Sequence, residues 1–364
     1  MRAFLFLILL IAAGAGGYAW YERANLSVQV MERGAKTAML ARPLRDLGDG
    51  LHVILCGAGG PLPDRLRSGP CVAVAAGTRL FVFDAGTNGV RNLGLMRYPI
   101  GSIEAVFLTH YHSDHIDGLG ELATLRWVQG NNASPLPVIG PPGVADVVGG
   151  FNQAYARDAV YRNTHHGDAV APLSGAGMVA RPLAVPEEGN SLVAFQDDQI
   201  KIEMFAVDHK PVAPAVGYKI TYKNRTALIS GDTARSFNLE KFARNVDLLV
   251  HEALSPDLVG IMNDAAEMTG NDSMAKITMD ILDYHATPVE AAEIARDSGA
   301  AHLLYYQIVP TLPIPGLDAA WLKGVKEVFP KYTLGRDGTT ISMPAGNREV
   351  NVVSSGFTPL GPVP

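Results

Sequence analysis

His110-Tyr-His112-Ser-Asp114-His115 places three imidazoles and a carboxylate within six consecutive positions. It follows an apolar run of β type, Ala105-Val-Phe-Leu108, and leads into Ile116-Asp-Gly118. In an extended chain, side chains at i, i+2 and i+4 share a face, so His110, His112 and Asp114 are expected to point the same way. The turn ahead of a helix expected over 118–128 would bring His115 alongside. A helix could not do this, because residues two apart diverge on its surface. Imidazole nitrogen and carboxylate oxygen are the donors that borderline divalent ions such as zinc prefer. A solvated loop has no need of this density of ligands, and the stretch is read as metal-binding.

His110-x-His112-x-Asp114-His115, closing on Gly118, resembles the HxHxDH metal signature of the metallo-β-lactamase superfamily. The resemblance implies that His110 and His112 hold one metal and that Asp114 and His115 hold a second. Further motifs follow in the family's order. A strand over 200–207 ends in Asp208-His209 and precedes a Gly217-Tyr-x-Ile220 strand, so His209 resembles the family's third histidine, which completes the first metal. Gly231-Asp232-Thr233 looks like the family's Gly-Asp-Thr turn, implying that Asp232 bridges both metals. Asp84-Ala-Gly86 is also similar to a turn near the family's metal site. Asp84 is read as orienting a metal-bound histidine, with a plain turn aspartate as the alternative.

Two loops are similar to the ribonuclease Z branch. A strand over 246–250 delivers His251-Glu252-Ala253, similar to a His-Glu-Ala-Thr loop with Leu254 in place of threonine. Asp283-Tyr-His285-Ala-Thr287-Pro288 is similar to the branch's His-Ser-Thr loop and opens a helix with Thr287 as N-cap. By this resemblance His285 is the general acid for the leaving group and Glu252 orients it, while Asp114 takes the proton of the attacking water. Pro63-Asp-Arg65-Leu-Arg67-Ser68 is similar to the branch's PxKxRN substrate-side loop. Its Arg65 and Arg67 are candidate anion contacts, and a solvated loop is the alternative. There is one departure. The histidine that normally completes the second metal is Gln307 here, and an amide oxygen is a weaker zinc ligand. The implied cofactor is zinc, two ions if Gln307 serves, with manganese or iron as alternatives.

The elements that must position these residues run from about 50 to 343, and the resemblance implies the αββα sandwich of the metallo-β-lactamase fold, an α+β class. A chain of 364 residues with 48% apolar side chains can bury a large core. Its net charge of −6 argues against a general polyanion binder. Cys56 and Cys71 are expected as buried free thiols on neighbouring strands, with pairing as the alternative. Met1-Arg2 and the apolar run from Ala3 read as a signal peptide or membrane anchor over 1–20. A linker is expected over 21–48, the hydrolase domain over 49–345 and a flexible tail over 346–364. Residues 144–160 look helical, followed by a loop carrying Arg162, His165 and His166.

The expected function is an exported hydrolase, periplasmic or secreted, that cleaves a sulfate or phosphate ester with a metal-activated water. The alternatives are a lactonase or β-lactamase, and a binding protein with a decayed second metal site. The expected partner is a small-molecule ester, with no nucleic acid. A membrane tether through 3–20 and a homodimer are left open.

Overall fold

Strands buried on both faces build two sheets that share one core. A computed structural model describes residues 2–358 and 361–362. In chain order the strands are β1 (Gly50–Gly57), β2 (Cys71–Ala76), β3 (Arg79–Phe83), β4 (Ile103–Phe107), β5 (Leu136–Gly140), β6 (Met178–Pro182), β7 (Leu192–Gln196), β8 (Ile200–Ala206), β9 (Val216–Tyr222), β10 (Arg225–Ile229), β11 (Leu248–Leu254), β12 (His302–Val309), β13 (Tyr332–Leu334), β14 (Thr339–Pro344) and β15 (Asn351–Ser355). An eight-stranded sheet runs β15-β14-β1-β2-β3-β4-β5-β6, and a seven-stranded sheet runs β13-β12-β11-β10-β9-β8-β7.

β1 shows the logic. Val53 and Leu55 pack with Phe83, Tyr218 and Val250 between the sheets. Ile54 and Cys56 face the other way, with Leu119, Leu122 and Val144 of the covering helices. The second sheet does the same: Leu249, Leu303 and Tyr305 pack outward on Ala291, Ile294 and Trp321. Side chains of period two therefore feed both faces, and strands buried on both sides read as nearly continuous apolar runs. The order helix, sheet, sheet, helix is the αββα sandwich expected from the resemblance.

Strand direction explains why the polar motifs meet. β3 and β4 are parallel, and so are β10, β11 and β12. β8 lies antiparallel to β9, which is antiparallel to β10, so β8 runs with β10. The C-terminal ends of all six strands open on one edge of the sandwich. There Tyr218 Oη donates to Leu108 O at 2.7 Å, and Val216 N donates to Thr109 O at 3.0 Å, stitching sheet to sheet.

Several expectations change. Cys56 and Cys71 are joined in a disulfide, not free. The register between β1 and β2 shifts between Leu55 and Gly57, and this irregularity sets Cys56 beside Cys71 with Cα atoms 5.0 Å apart. The helix after Gly143 runs Val144–His166, so Arg162, His165 and His166 lie on it and not in a loop. His251, Glu252 and Ala253 lie within β11, not in a loop beyond it. Residues 351–355 of the expected tail form β15 against β14. Met1 and tail residues 359, 360, 363 and 364 fall outside the described residues.

Residues Met1–Pro43 form a compact unit of their own. It holds helices Arg2–Tyr21 and Arg23–Leu40, so most of the expected linker is helical, with no buried residue in the second helix. No helix among the described residues is long and apolar enough to cross a membrane.

Candidate metal centre

The central motif leaves β4 at Phe107, bends at Thr109 and is extended again at His112, whose φ and ψ are −60° and 146°. The chain then turns into a short helix, Ser113–Ile116. Asp114 and His115 therefore come from a helical turn, and only His110 and His112 follow the extended alternation. This corrects the expectation that Asp114 shares their strand face. Adjacent positions on one helical turn bring both donors to the same side of the site as the two histidines, which a continued strand would not do.

His209 arrives just past the end of β8, and Asp232 just past β10, in the turn after Gly231. Gly231 has φ +63°, and a Cβ there would come within 2.7 Å of Val216 O, so the turn requires glycine. One donor atom each from His110, His112, His209 and Asp232 lies within 4.8 Å of the others. His110 Nε2 is 3.0 Å from His112 Nδ1 and 3.9 Å from Asp232 Oδ2. His209 Nδ1 donates to Tyr284 O at 2.9 Å, which fixes the tautomer with the Nε2 lone pair free. That Nε2 and Asp232 Oδ1 are both buried with no hydrogen-bond partner among the described residues. Unsatisfied buried acceptors are costly, and a cation would satisfy both. Burial lowers the pKa of His110, His112 and His209, which keeps them neutral as ligation requires. The four side chains fit one divalent metal.

His115 is buried beside this group. Its Nδ1 bonds Asp84 Oδ2 at 2.8 Å, and Asp84 also accepts from Thr109 N and Oγ1. Asp84 thus orients His115, as anticipated. His115 Nε2 faces Asp232 Oδ2 at 3.4 Å and Asp114 Oδ2 at 3.7 Å. Into the same space Gln307 sends its amide, Nε2 lying 3.1 Å from Asp114 Oδ2, 3.2 Å from Asp232 Oδ2 and 3.3 Å from His115 Nε2. His302 is not a substitute, since its Nε2 bonds Thr333 Oγ1 at 2.9 Å on the far side of β12.

Next to His209, with ring centroids 5.1 Å apart, stands His285. Its Nδ1 lies 3.2 Å from Glu252 Oε1, which also accepts from Ala286 N and Thr233 N. Burial pulls the His285 pKa down, but the Glu252 carboxylate outweighs it and pushes it up to about 9. Burial pushes Glu252 up, while the adjacent imidazolium pulls it down. Three N–H groups on one oxygen favour the carboxylate, so the proton resides on His285. Thr287 caps the following helix with a capping box to Glu290, which pins the His285 loop.

The two arginines separate. Arg65 is exposed, whereas Arg67 is buried, donates from Nε to Gly335 O at 2.9 Å and pairs with Asp64. Arg67 supports its loop through these contacts and also lines a cavity beside Asp114. That cavity measures about 300 Å³, and its lining includes Pro61, Asn88 and Asp117. Sequence reasoning missed Tyr284, whose carbonyl sets His209, and Asp337. The Asp337 carboxylate accepts from Ala58 N, Ser68 N and Asn92 Nδ2 and so holds the loop that begins Gly57-Ala-Gly-Gly60. A lone aspartate in a β-turn carries no signal for such a role.

Comparison with known proteins agrees with this geometry. Residues 79–306 match the family described as beta-lactamase superfamily domain. A ribonuclease Z of Mycolicibacterium gilvum is 34% identical over 273 residues, covering 74% of this chain and 88% of that protein. A ribonuclease Z of Mycobacterium sp. (strain KMS) is 32% identical, covering 79% and 94%. Among solved structures, the short form of human tRNase Z superposes with a TM-score of 0.55 at 23% identity, over 80% of this chain and 99% of that one. The metallo-beta-lactamase fold protein YhfI of Bacillus subtilis superposes with a TM-score of 0.56 at 19% identity, over 80% and 98%. Relatives named for action on RNA overturn the expectation of a small-molecule ester substrate with no nucleic acid. The charge argument behind that expectation counted the whole chain, whereas a substrate meets only the site. With its motifs in family order at one sandwich edge, the chain belongs to the metallo-β-lactamase superfamily and is a metal-dependent hydrolase.

Proposed function

We propose that this protein hydrolyses phosphodiester bonds in RNA. The observation that carries the reading is the Glu252–His285 pair beside the His209 end of the metal cluster, on a chain whose relatives are named ribonuclease Z. A divalent ion at His110, His112, His209 and Asp232 would polarise the phosphoryl oxygen and acidify a water. Asp114 accepts the proton of the attacking water. His285, protonated at neutral pH, donates to the departing oxygen, and Glu252 holds it by Nδ1 with Nε2 left for that transfer. The leaving group of an RNA diester is a poor alkoxide, so a positioned acid is what the reaction needs. The test is cleavage of a labelled transfer RNA carrying a 3′ extension, with zinc or manganese supplied. Metal-dependent cleavage that His285→Ala slows by about 10²–10⁴-fold is expected. No cleavage of any RNA by the metal-loaded protein would overturn the reading.

Export is proposed on separate grounds. Disulfides persist in oxidising compartments, and the Cys56–Cys71 bond joins the apolar run at 3–13 in supporting a destination outside the cytoplasm. Fractionation of cells expressing the full chain tests it, and recovery of all the protein in the cytoplasm with reduced thiols would refute it.

A further inference from the structure

We propose that the Gln307 amide occupies the place of a second metal ion, so that the protein carries one metal ion, held by His110, His112, His209 and Asp232. The inference rests on the metal centre described above and concerns its stoichiometry, not its substrate.

The backbone delivers Gln307 deliberately. Between β11 and β12, Glu252 pairs with Tyr306 and Ala253 with Ile308, so Gln307 is the extra residue of a bulge. Its φ is +46°, a left-handed conformation unfavourable for a side chain of this size. Bulges re-aim side chains, and this one turns Gln307 into the site edge. There Nε2 sits 3.1–3.3 Å from Asp114 Oδ2, Asp232 Oδ2 and His115 Nε2. Those three atoms are the donors a second ion would use. An ion bound at about 2.0–2.2 Å from each would need the space the amide fills.

The charge chemistry favours the amide in this orientation. Two carboxylates and an imidazole nitrogen converge in a buried pocket, and the carboxylates need hydrogen-bond donors or a cation. An NH2 group supplies two hydrogens, one towards each carboxylate, and neither is left over for water. Gln307 Oε1, on the other side of the amide, is buried with no partner among the described residues. Turning the amide over would satisfy no carboxylate and would set its oxygen against two others, unless a cation lay between them. The two orientations therefore correspond to two metal contents: nitrogen inward with one ion, oxygen inward with two.

The experiment measures zinc, not turnover. The full chain is stripped with a chelator, loaded with excess zinc, desalted and analysed for zinc per chain, with calorimetric titration as a second readout. One equivalent is expected for the wild type. Gln307→His, which replaces the inward amide by a ligand, is expected to bind a second. Two tight equivalents in the wild type would overturn the inference while leaving the metal centre and the RNA reading intact. One equivalent in folded Gln307→His would also overturn it, since residue 307 would then not set the count. No zinc in the wild type would remove the metal centre itself, and the RNA reading with it.

Discussion

Glu252 collects N–H groups from Thr233, Ala286 and His285 on one carboxylate oxygen, and that concentration gives His285 its proton. With its pKa pushed up to about 9, His285 stays an acid through neutral pH, and activity that needs it protonated falls only as pH rises past that value. Glu252→Gln keeps an acceptor but removes the charge, so the basic limb of the kcat profile should move down towards the ordinary histidine range near 6.5. His285→Ala should cost about 10²–10⁴-fold in kcat at neutral pH with far less change in metal content. A pH–rate profile of Glu252→Gln superimposable on the wild type would show that the carboxylate only holds the loop. At this scale much was legible, because His110 and His112 sit in a dense ligand spacing and His209 and Asp232 follow in motifs that resemble the family's. Arg67 was not. An arginine in a loop reads as a ligand contact, and only the fold reveals that Gly335 and Asp64 hold its Nε and Nη1.

Elements were legible where periodicity ran long and obscure where register decided. The strands at β8 to β10 follow their apolar runs to within a residue or so, whereas the turn at Ser113–Ile116 is too short to carry a pattern. Register also hid the disulfide. Two cysteines on adjacent strands can pair only where the ladder sets them side by side, and the irregularity at Leu55–Gly57 that does so leaves no trace in composition. The bond closes a loop of 15 residues that carries Gly57–Gly60 and the Asp64–Arg67 pair towards the site. A loop of that length is worth about 3 kcal/mol in unfolded-state entropy. Cys56→Ser should therefore lower unfolding free energy by about that amount and should abolish the wild type's sensitivity to reductant. Urea titrations with and without dithiothreitol check it, and a variant as stable as the oxidised wild type would refute the contribution.

Over the whole molecule, the sandwich was legible through the family resemblance, while formal charge said little about substrate. A cluster that holds a cation can meet a polyanion locally on a chain whose sum is −6. Acid stability is a second property of the whole, and two histidines that ligate nothing decide part of it. His251 lies in the middle of β11 and His302 begins β12, paired across the sheet to Tyr305 and Leu248. Burial holds both pKa values down to about 4, assisted at His302 by Lys331. In the unfolded chain each takes up a proton near pH 6.5, but the folded chain resists until about 4. The unfolded state therefore binds more protons across that window, and stability, full above about 6.5, drains away as pH falls through it. By pH 5 each group should have cost about 2 kcal/mol. His302→Gln keeps a polar partner for Thr333 and removes the titration. Between pH 7.5 and 5 the wild type should lose about 2 kcal/mol more unfolding free energy than this variant. Equal losses would mean that His302 reaches solvent readily enough to protonate in place, and that the edge at β12–β13 is looser than its packing implies.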